Sequence, residues 1–246
     1  QRLVQEGRWH IMGGWYLQPD CNMPSGESFV RQIESGLSYF QEKFGVRPTT
    51  AVSVDAFGHT RGLVQILKKT GFDSYLFCRP WASFQDLPEG VFDWVGYDGS
   101  RVMAYRINDS YASPLGKAAE KIETAARRSD APIEVCLWGV GDHGGGPTRR
   151  DIMRLIDMQA WPIYADVRFG SFKAFFDSAA QAAREIPVVD HELNPLFTGC
   201  YTTQSRIKKG NRYGERLLGE AEALSAFAAQ TAHAPYSAKK FAEGWR

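Results

Sequence analysis

The 246-residue sequence lacks a C-x-x-C pair, and its cysteines are few and widely spaced. A zinc finger or a thioredoxin-like site needs paired cysteines at short spacing, so the sequence argues against both. The four cysteines are Cys21, Cys78, Cys136 and Cys200. Cys136 lies within an apolar run and is expected to be a small core residue. This cysteine usage predicts reduced thiols and a cytoplasmic protein.

An excess of charge and a long apolar run are also missing. The formal net charge is only +1, which favours neither nucleic acid nor a membrane surface as a partner bound by bulk electrostatics. No apolar run approaches the roughly 20 residues that a membrane span needs. The opening QRLVQEGRWH is charged and has no apolar core, so we expect no signal peptide there.

Aromatic side chains, in contrast, are abundant, with 7 Trp, 10 Tyr and 15 Phe. Such residues suit sugar-binding clefts, although packing in the core accounts for most of them. Hydrophobic residues make up 43% of the chain and charged residues 23%, which is ordinary for a globular protein that buries a core.

Strand and helix patterns alternate along the chain. Helical spacing of apolar residues is found at 28–45, 61–71, 113–129, 148–159 and 171–185. Short apolar strands are predicted at 8–17, 49–54, 74–78, 133–140 and near 163–169. A hairpin is predicted around Asp98-Gly99, a strong turn signal. Strands that alternate with helices predict an α/β fold, with a mainly parallel sheet flanked by helices.

The pattern changes after about residue 204. The segment 206–232 is typical of a long amphipathic helix, and a second helix begins near 236. We predict an α/β domain over 1–203, lacking its N-terminal part, and the start of a helical bundle over 204–246. Both ends of the sequence are abrupt, so we expect a fragment of a longer protein.

Acidic, glycine-rich turns follow three of the predicted strands: GGWYLQPD, DAFGH and GVGDHGGGPT. Because ligands gather at the carboxyl ends of strands in α/β sheets, we expect Asp20, Asp55, Asp142 and His143 on one rim. Paired carboxylates at such a rim are what glycoside hydrolysis requires. The alternative for Asp55 is a helix N-cap, but the next helix begins only at Thr60 or later.

Further residues near these turns have competing interpretations. His59 is a candidate ligand, although a lone histidine is more often structural. Arg79, at the end of the 74–78 strand, is able to clamp a carboxylate or a sugar hydroxyl, or to form a surface salt bridge. The glycine turn also contains G-x-G-x-x-G, typical of dinucleotide-binding oxidoreductases. Against that interpretation, Asp142 places a negative charge where pyrophosphate would lie, and Asp166 is poorly placed to bind a ribose.

Several stretches, in order, resemble glycoside hydrolase family 38, the α-mannosidases, particularly their bacterial and cytosolic branch. They are GRWHIMGGWYLQPDCNMPSGESFVRQ, SVDAFGHT, QILKKTGFDSYLFCR, GVGDHGGGPTRRDI and HELNPLFTGCYTTQSRIKKGNR. Together they span nearly the whole chain. The resemblance implies a retaining, zinc-dependent hydrolase that acts on α-mannoside oligosaccharides.

The resemblance also assigns roles to individual residues. It makes Asp55 both the nucleophile and a zinc ligand. It places the general acid in the Gly141-Asp142-His143 turn, at Asp142 or, in a gapless match, at His143. Arg79 matches an arginine that supports the nucleophile. The two remaining matches line the cleft: Asp20 and Tyr201.

The family takes its other zinc ligands from a His-x-Asp near its N-terminus and a His-Asp pair in the helical bundle. Neither motif is in this sequence, and zinc needs about four ligands. We therefore expect that this chain alone binds zinc weakly and is inactive. A sheet without its first strand would expose an edge, which predicts self-association into a homo-oligomer. A non-catalytic carbohydrate-binding module stays open as an alternative function.

Overall fold

The structure, a computed structural model, describes residues 1–141, 144–162 and 166–245, which form helices flanking a single sheet. In chain order the elements are α1 (Arg2–Gln5), α2 (Gly26–Phe44), β1 (Thr50–Ser53), α3 (Leu63–Lys69), β2 (Ser74–Phe77), β3 (Val91–Val95), β4 (Arg101–Arg106), α4 (Ala118–Arg128), α5 (Arg149–Ala160), α6 (Phe172–Ala182), β5 (Val188–Val189), a 3₁₀ turn (Thr198–Tyr201), α7 (Ser205–Ala232) and α8 (Ala238–Gly244).

The sheet has the strand order β1-β2-β4-β3-β5. The strands β1, β2 and β4 are parallel to one another, β3 is antiparallel to β4, and β5 is parallel to β3. The predicted α/β fold with a mainly parallel sheet is therefore confirmed, with one antiparallel pair inside it. Three neighbouring strands thus end at the same edge.

The antiparallel pair is the hairpin predicted around Asp98-Gly99. Gly99 has φ +80°, and the Gly96 amide donates a hydrogen bond to the Ser100 carbonyl at 2.8 Å. A residue with positive φ is what such a tight turn requires. Because the hairpin reverses the chain, the second of its strands lies parallel to β2.

Both faces of the sheet are covered. Tyr75 and Phe77 of β2 pack in a cluster with α2 and α3, whereas Leu76 packs on the opposite side with α6. All four residues of β2 are buried. A strand buried on both faces has a continuous apolar run rather than an alternating one, which is the pattern of SYLFC.

The helix α2 shows why the predicted helices form. The Ser25 hydroxyl accepts a hydrogen bond from the Ser28 amide at 3.2 Å, and the helix ends at Gly45 in the left-handed region, φ +70°. A serine N-cap and a glycine C-cap satisfy backbone groups that a helix leaves unpaired at its ends. Its buried residues follow helical spacing: Phe29, Ile33, Gly36 and Leu37.

Gly36 is expected to tolerate no side chain. A Cβ there would lie 2.4 Å from the Trp15 carbonyl carbon and 2.5 Å from the Gly14 carbonyl oxygen, both backbone atoms. We expect Gly36→Ala to lower the free energy of unfolding by about 1–3 kcal/mol. The control is Gly219→Ala in α7, where no atom lies within 4 Å and alanine should stabilise by about 0.5–1 kcal/mol. Urea unfolding measures both, and equal gains would contradict the prediction.

The strand predicted at 8–17 is wrong. The segment contains an isolated bridge from Gly13 to Ala51 and is preceded by the short helix α1, which was not predicted. Gly13 and Gly14 have φ of +95° and +75°, and two residues with positive φ interrupt an extended run. The Trp15 indole still donates a hydrogen bond to the Val52 carbonyl at 2.5 Å, so the segment lies along β1.

The strand predicted at 133–140 is wrong as well. The β4 strand already has β2 and β3 as neighbours, so no ladder position beside it is free. The segment instead packs its apolar side chains on the sheet, and the Val135 amide donates to the Tyr105 hydroxyl at 3.4 Å. The strand predicted near 163–169 is not formed by residues 166–169, and residues 163–165 lie outside the described ranges. The two-residue strand β5 was not predicted.

The helical region makes polar contacts with the segment that follows Asp20. Glu215 of α7 accepts hydrogen bonds from the Ser25 amide at 3.0 Å and the Ser28 hydroxyl at 2.6 Å. Arg212 donates to the Met23 carbonyl at 2.9 Å. The start of α7 at Ser205 agrees with the change of pattern after 204, and the domain boundary stays a prediction.

The edge of β1 is partly occupied by the 13–15 segment, so the basis for predicted self-association is weaker than the sequence indicated. The homo-oligomer stays a prediction. All four cysteines are free, and Cys136 is half-buried rather than fully within the core. Among the helices that the structure describes, none combines the length and the apolar character needed to cross a bilayer.

Candidate active site

The carboxyl ends of β1, β2 and β4 form one rim, as expected for parallel neighbours. Asp55 follows β1 by two residues, Arg79 follows β2 by two residues, and the loop 108–112 follows β4. Asp55 does not cap a helix, because α3 begins at Leu63 with Gly62 as its N-cap. Of the residues predicted to share one rim, Asp55 is placed there, with Arg79 and the 108–112 loop beside it.

Asp55 forms an ion pair with Arg79 at the centre of the rim. Arg79 Nη1 donates to Asp55 Oδ1, and the Tyr111 hydroxyl donates to the same oxygen at 3.2 Å. The second carboxylate oxygen, Oδ2, accepts no hydrogen bond from the residues that the structure describes. The Asp55 side chain is 50% exposed, whereas Arg79 is 14% exposed. One carboxylate oxygen is thus held by two donors, and the other has no donor among the described residues.

Aromatic rings surround the Arg79 guanidinium. Its central carbon lies 5.5 Å from the Phe57 ring, 5.1 Å from Trp81 and 5.9 Å from Tyr111. Phe197 packs edge-on against Phe57 at 5.1 Å and against Trp81 at 6.1 Å. Trp81 and Phe197 are also partly exposed. Some of the abundant aromatic residues thus place exposed rings at the rim, a feature that suits a sugar-binding cleft.

A cavity of about 650 Å³ lies beside the ion pair. It is lined by residues of the loops after β2 and β4: Cys78, Arg79, Trp81, Ala82, Ser83, Asn108, Asp109, Ser110, Tyr111 and Ala112. This volume is within the usual range for small-molecule sites. Since Arg79 and Tyr111 line the cavity and also contact Asp55, a molecule bound there would lie next to the carboxylate.

Tyr111 and the loop that carries it were not predicted as site residues. The hairpin pattern at 91–107 does not indicate that its second strand, β4, is parallel to β2 and ends at the rim. Because ligands gather at the carboxyl ends of parallel strands, residues 108–111, which follow β4, are the segment that this rule indicates. Lys121 holds this loop, because its ammonium donates to the carbonyls of Ser110, Ala112 (3.0 Å) and Leu137 (2.7 Å).

Asp20 and Tyr201 lie in segments that flank the rim. Asp20 Oδ1 accepts a hydrogen bond from the Asn22 amide at 3.0 Å, and the Gln18 carboxamide accepts from the Val54 amide at 3.0 Å. Burial raises the pKa of the Tyr201 phenol, and the nearby Asn22 side chain opposes this shift. Neither residue hydrogen-bonds to Asp55 in the part of the chain that the structure describes, so their substrate-binding roles stay predictions.

Asp142 and His143, the candidates for the general acid, lie outside the described residues. The glycines around them are sterically required, because a Cβ on Gly141 would lie 2.2 Å from Ala112 Cβ and one on Gly145 would lie 1.9 Å from the Val140 carbonyl. The Gly139 carbonyl also accepts from the Ser113 amide at 2.8 Å. The turn therefore begins against the loop of Tyr111, which contacts Asp55.

The same turn lacks the context of a dinucleotide site. The G-x-G-x-x-G fingerprint functions between a strand and a helix, with pyrophosphate at the helix N-terminus. Residues 133–140 form no strand, and the helix α5 begins only at Arg149, after Thr148 as its N-cap. The oxidoreductase alternative thus loses its structural basis.

His59 is buried in the core and is not placed as a metal ligand. Its Nε2 lies 2.7 Å from the Arg79 carbonyl oxygen, and its Nδ1 lies 2.7 Å from the Tyr75 hydroxyl. Burial lowers the pKa of His59 from 6.5 to about 4, although the bond to the Arg79 carbonyl opposes this shift. The structural interpretation of this histidine is therefore favoured.

This lowered pKa predicts acid sensitivity. The unfolded chain binds a proton at His59 below about pH 6.5, whereas the folded chain resists it down to about pH 4, so stability falls as the pH falls through this window. The full loss is about 3 kcal/mol, since one pKa unit is worth about 1.4 kcal/mol. Urea unfolding at pH 7 and pH 4.5 should show most of this loss in the wild type and not in His59→Gln. Identical pH dependence of the two proteins would contradict it.

The described residues do not make up a zinc site. No group of three or more His, Cys, Asp or Glu side chains comes together in residues 1–141, 144–162 and 166–245 in a way that could hold a metal ion. Zinc takes about four ligands in proteins, and Asp55 provides one carboxylate. Zinc binding by this chain therefore stays a prediction.

Comparison with known proteins identifies the family. Residues 1–197 match the profile described as "Glycosyl hydrolases family 38 N-terminal domain". The chain belongs to glycosyl hydrolase family 38. It is 33% identical to "Alpha-mannosidase 2C1" of Homo sapiens over 253 aligned residues, which cover 100% of this chain and 24% of the human protein.

Other family 38 proteins give the same result. "Alpha-mannosidase" of Saccharomyces cerevisiae is 26% identical over 240 residues, covering 91% of this chain and 22% of the yeast protein. A crystal structure of an alpha-mannosidase from Enterococcus faecalis V583 superposes with a TM-score of 0.80 at 20% identity, covering 99% of this chain and 29% of that one. This family 38 chain thus spans about a quarter of the length of the relatives it matches.

Proposed function

We propose that the protein acts as a retaining α-mannosidase, with α-mannoside oligosaccharides as substrates. The observation that carries the proposal is the Asp55 carboxylate, held through Oδ1 by Arg79 and Tyr111, with no donor to Oδ2 in the described part of the chain. Family membership over residues 1–197 supports the reaction class, and the mannosidases among its relatives support the substrate.

The proposed reaction has two steps at one anomeric carbon. Asp55 Oδ2 attacks that carbon while an acid in the 141–143 turn, Asp142 or His143, protonates the leaving oxygen. The same group then removes a proton from water, which attacks the mannosyl-aspartate and releases mannose with retained configuration. Retaining enzymes hold the two reacting groups roughly 5–5.5 Å apart, so the proposed acid must lie at that distance from Asp55.

The proposed roles of the remaining rim residues follow from their positions. Arg79 compensates the negative charge of Asp55, and Arg79 and Tyr111 together orient its carboxylate. Arg79 also lines the cavity beside it. Exposed rings such as Trp81 offer apolar faces for the sugar. Asp20 and Tyr201 are proposed to contact sugar hydroxyls from the flanking segments. We propose a cytoplasmic location, on the basis of the cysteine usage.

Zinc dependence is part of the proposal only for a longer protein. We propose that the remaining ligands come from segments outside these 246 residues and join Asp55 there. The relatives are about four times as long as this chain, so they contain room for such segments.

The isolated 246-residue chain is expected to hold substoichiometric zinc and to release no aglycone from an aryl α-mannoside. The reason is that Asp55 alone does not complete a zinc site. Metal analysis after dialysis and a chromogenic assay of the chain and of the full-length protein measure both properties.

The two proteins give distinguishable results. The full-length protein should release the aglycone from the α-mannoside and not from the β-mannoside, with retained configuration in the first-formed product. Stoichiometric zinc with turnover in the isolated chain would refute the expected inactivity. Mannoside binding without turnover by the full-length protein would instead favour a carbohydrate-binding module.

A further inference from the structure

The segments that carry Asp55 and Arg79 are connected at two places. One connection is made by the Arg79 side chain, which forms the ion pair with the Asp55 side chain and donates a hydrogen bond to the Asp55 carbonyl at 3.4 Å. The other is buried, where the imidazole of His59, four residues after Asp55, contacts the backbone carbonyl of Arg79 at 2.7 Å. The two connections close a ring that contains the whole 55–59 segment and the Arg79 side chain.

The contacts of the imidazole determine its tautomer. The Arg79 carbonyl can only accept a hydrogen bond, so Nε2 must carry the proton. Nδ1 is then an acceptor, and the Tyr75 hydroxyl, 2.7 Å away, must donate to it. Both ring nitrogens are satisfied in the neutral form, and the residue has no exposed surface. The ring is therefore fixed in one orientation and one protonation state.

The backbone of His59 is fixed as well. Its amide donates to the Leu193 carbonyl at 2.8 Å, and its carbonyl accepts from the Leu193 amide at 3.1 Å. The preceding Gly58 is packed so closely that a Cβ would lie 2.1 Å from Asn194 Oδ1. The imidazole thus has a rigid base from which to hold the Arg79 carbonyl.

We propose that His59 is a positioning residue, whose neutral imidazole sets the backbone of Arg79 and thereby aims its guanidinium at Asp55. Beyond the contacts of Nη1 with Asp55, which include a hydrogen bond to the Asp55 carbonyl at 3.4 Å, the guanidinium meets aromatic faces, and its buried Nε has no hydrogen-bond partner in the described ranges. Ring faces attract a cation without fixing its direction closely. The inference rests on the proposed function of Asp55, but its first two tests do not depend on that function.

The first test is the tautomer of His59 in the isolated chain. A long-range ¹H–¹⁵N spectrum of the uniformly labelled protein at pH 7 should show one histidine as the neutral Nε2–H form, assigned by its disappearance in His59→Gln. A charged imidazole or the Nδ1–H form would overturn the proposal. This measurement requires neither catalytic activity nor metal.

The second test follows the Arg79 side chain. In Tyr75→Phe, which removes only the hydroxyl that selects the tautomer, exchange of the Arg79 Nε proton with water should become about tenfold faster, as expected for loss of one buried hydrogen bond. In His59→Leu the NMR signal of Arg79 Nε should show that its side chain has become mobile. In His59→Gln, whose carboxamide can donate to the same carbonyl, the signal should stay ordered.

Tyr39→Phe in the exposed part of α2 is the matched control and should leave Arg79 unchanged. Unaltered Arg79 exchange in Tyr75→Phe would overturn the proposal, even if His59→Leu fails to fold. In the full-length protein, His59→Leu should lower kcat about tenfold or more with little change in KM, and His59→Gln should restore most of it. If Asp55→Asn has no effect on turnover, the proposed function fails while the two spectroscopic results stand.

Discussion

Replacement of Asp55 by asparagine is expected to abolish hydrolysis of an aryl α-mannoside by the full-length protein, with a loss of roughly 10⁴-fold or more in kcat. An amide oxygen is a poor nucleophile, and the covalent intermediate requires a carboxylate. The side chain is half-exposed and asparagine has nearly the same shape, so the fold should be retained. The measurement is kcat with circular dichroism and urea unfolding as controls for the fold.

A matched variant removes a carboxylate that lies far from the candidate site. Asp73 lies before β2 at the opposite edge of the sheet, and Asp73→Asn should leave kcat within about twofold. In Asp55→Gly, added azide should restore release of the aglycone and give a product of inverted configuration, because azide then replaces the missing carboxylate. Full activity of Asp55→Asn would eliminate this residue as the nucleophile.

Removal of the Arg79 charge is expected to be the second most damaging change. Arg79→Met should lower kcat by roughly 10²–10³-fold, a loss similar to that of one preorganised donor at a reacting oxygen. Methionine fills part of the space between Phe57 and Trp81, but Asp55 Oδ1 would retain only the hydrogen bond from Tyr111. The effect should fall on kcat more than on KM.

Two further variants sharpen this expectation. Arg79→Lys should remain at least about tenfold below the wild type, because an ammonium lacks the planar group that stacks among three rings. Arg101→Met removes an exposed ion pair with Asp93 in the hairpin and should change kcat by less than about twofold. If Arg79→Met and Arg101→Met behave alike, Arg79 has no special role at the nucleophile.

The centre of the candidate site is predictable from the sequence because the strands that carry it are marked by local signals. Val52 and Val54 mark a strand before Asp55, and SYLFC marks one before Arg79, so parallel pairing brings the two together. The helices were also predictable, since caps such as Ser25 and Thr148 are local. The contact between Asp55 and Arg79 follows from the sequence once the two strands are taken as neighbours.

What the sequence could not provide is the identity of each strand's neighbours. An apolar run such as 133–140 indicates burial, but burial against a sheet face and pairing at its edge produce the same pattern. Tyr111 was missed for the same reason, because a hairpin motif does not tell which of its strands joins the parallel set. The proposed acid, at Asp142 or His143, rests on the resemblance and on the close packing of Gly141.

The contacts of Glu215 and Arg212 with residues 23–28 have a consequence for substrate affinity. They attach the segment after Asp20 to the helical region, whereas Asp55 and Arg79 are carried by the sheet. Under the proposed function, in which Asp20 contacts a sugar hydroxyl, the position of α7 therefore affects substrate binding without a contact between α7 and the sugar. We therefore expect substitutions in that helix to change the KM for a mannoside and to leave kcat nearly unchanged.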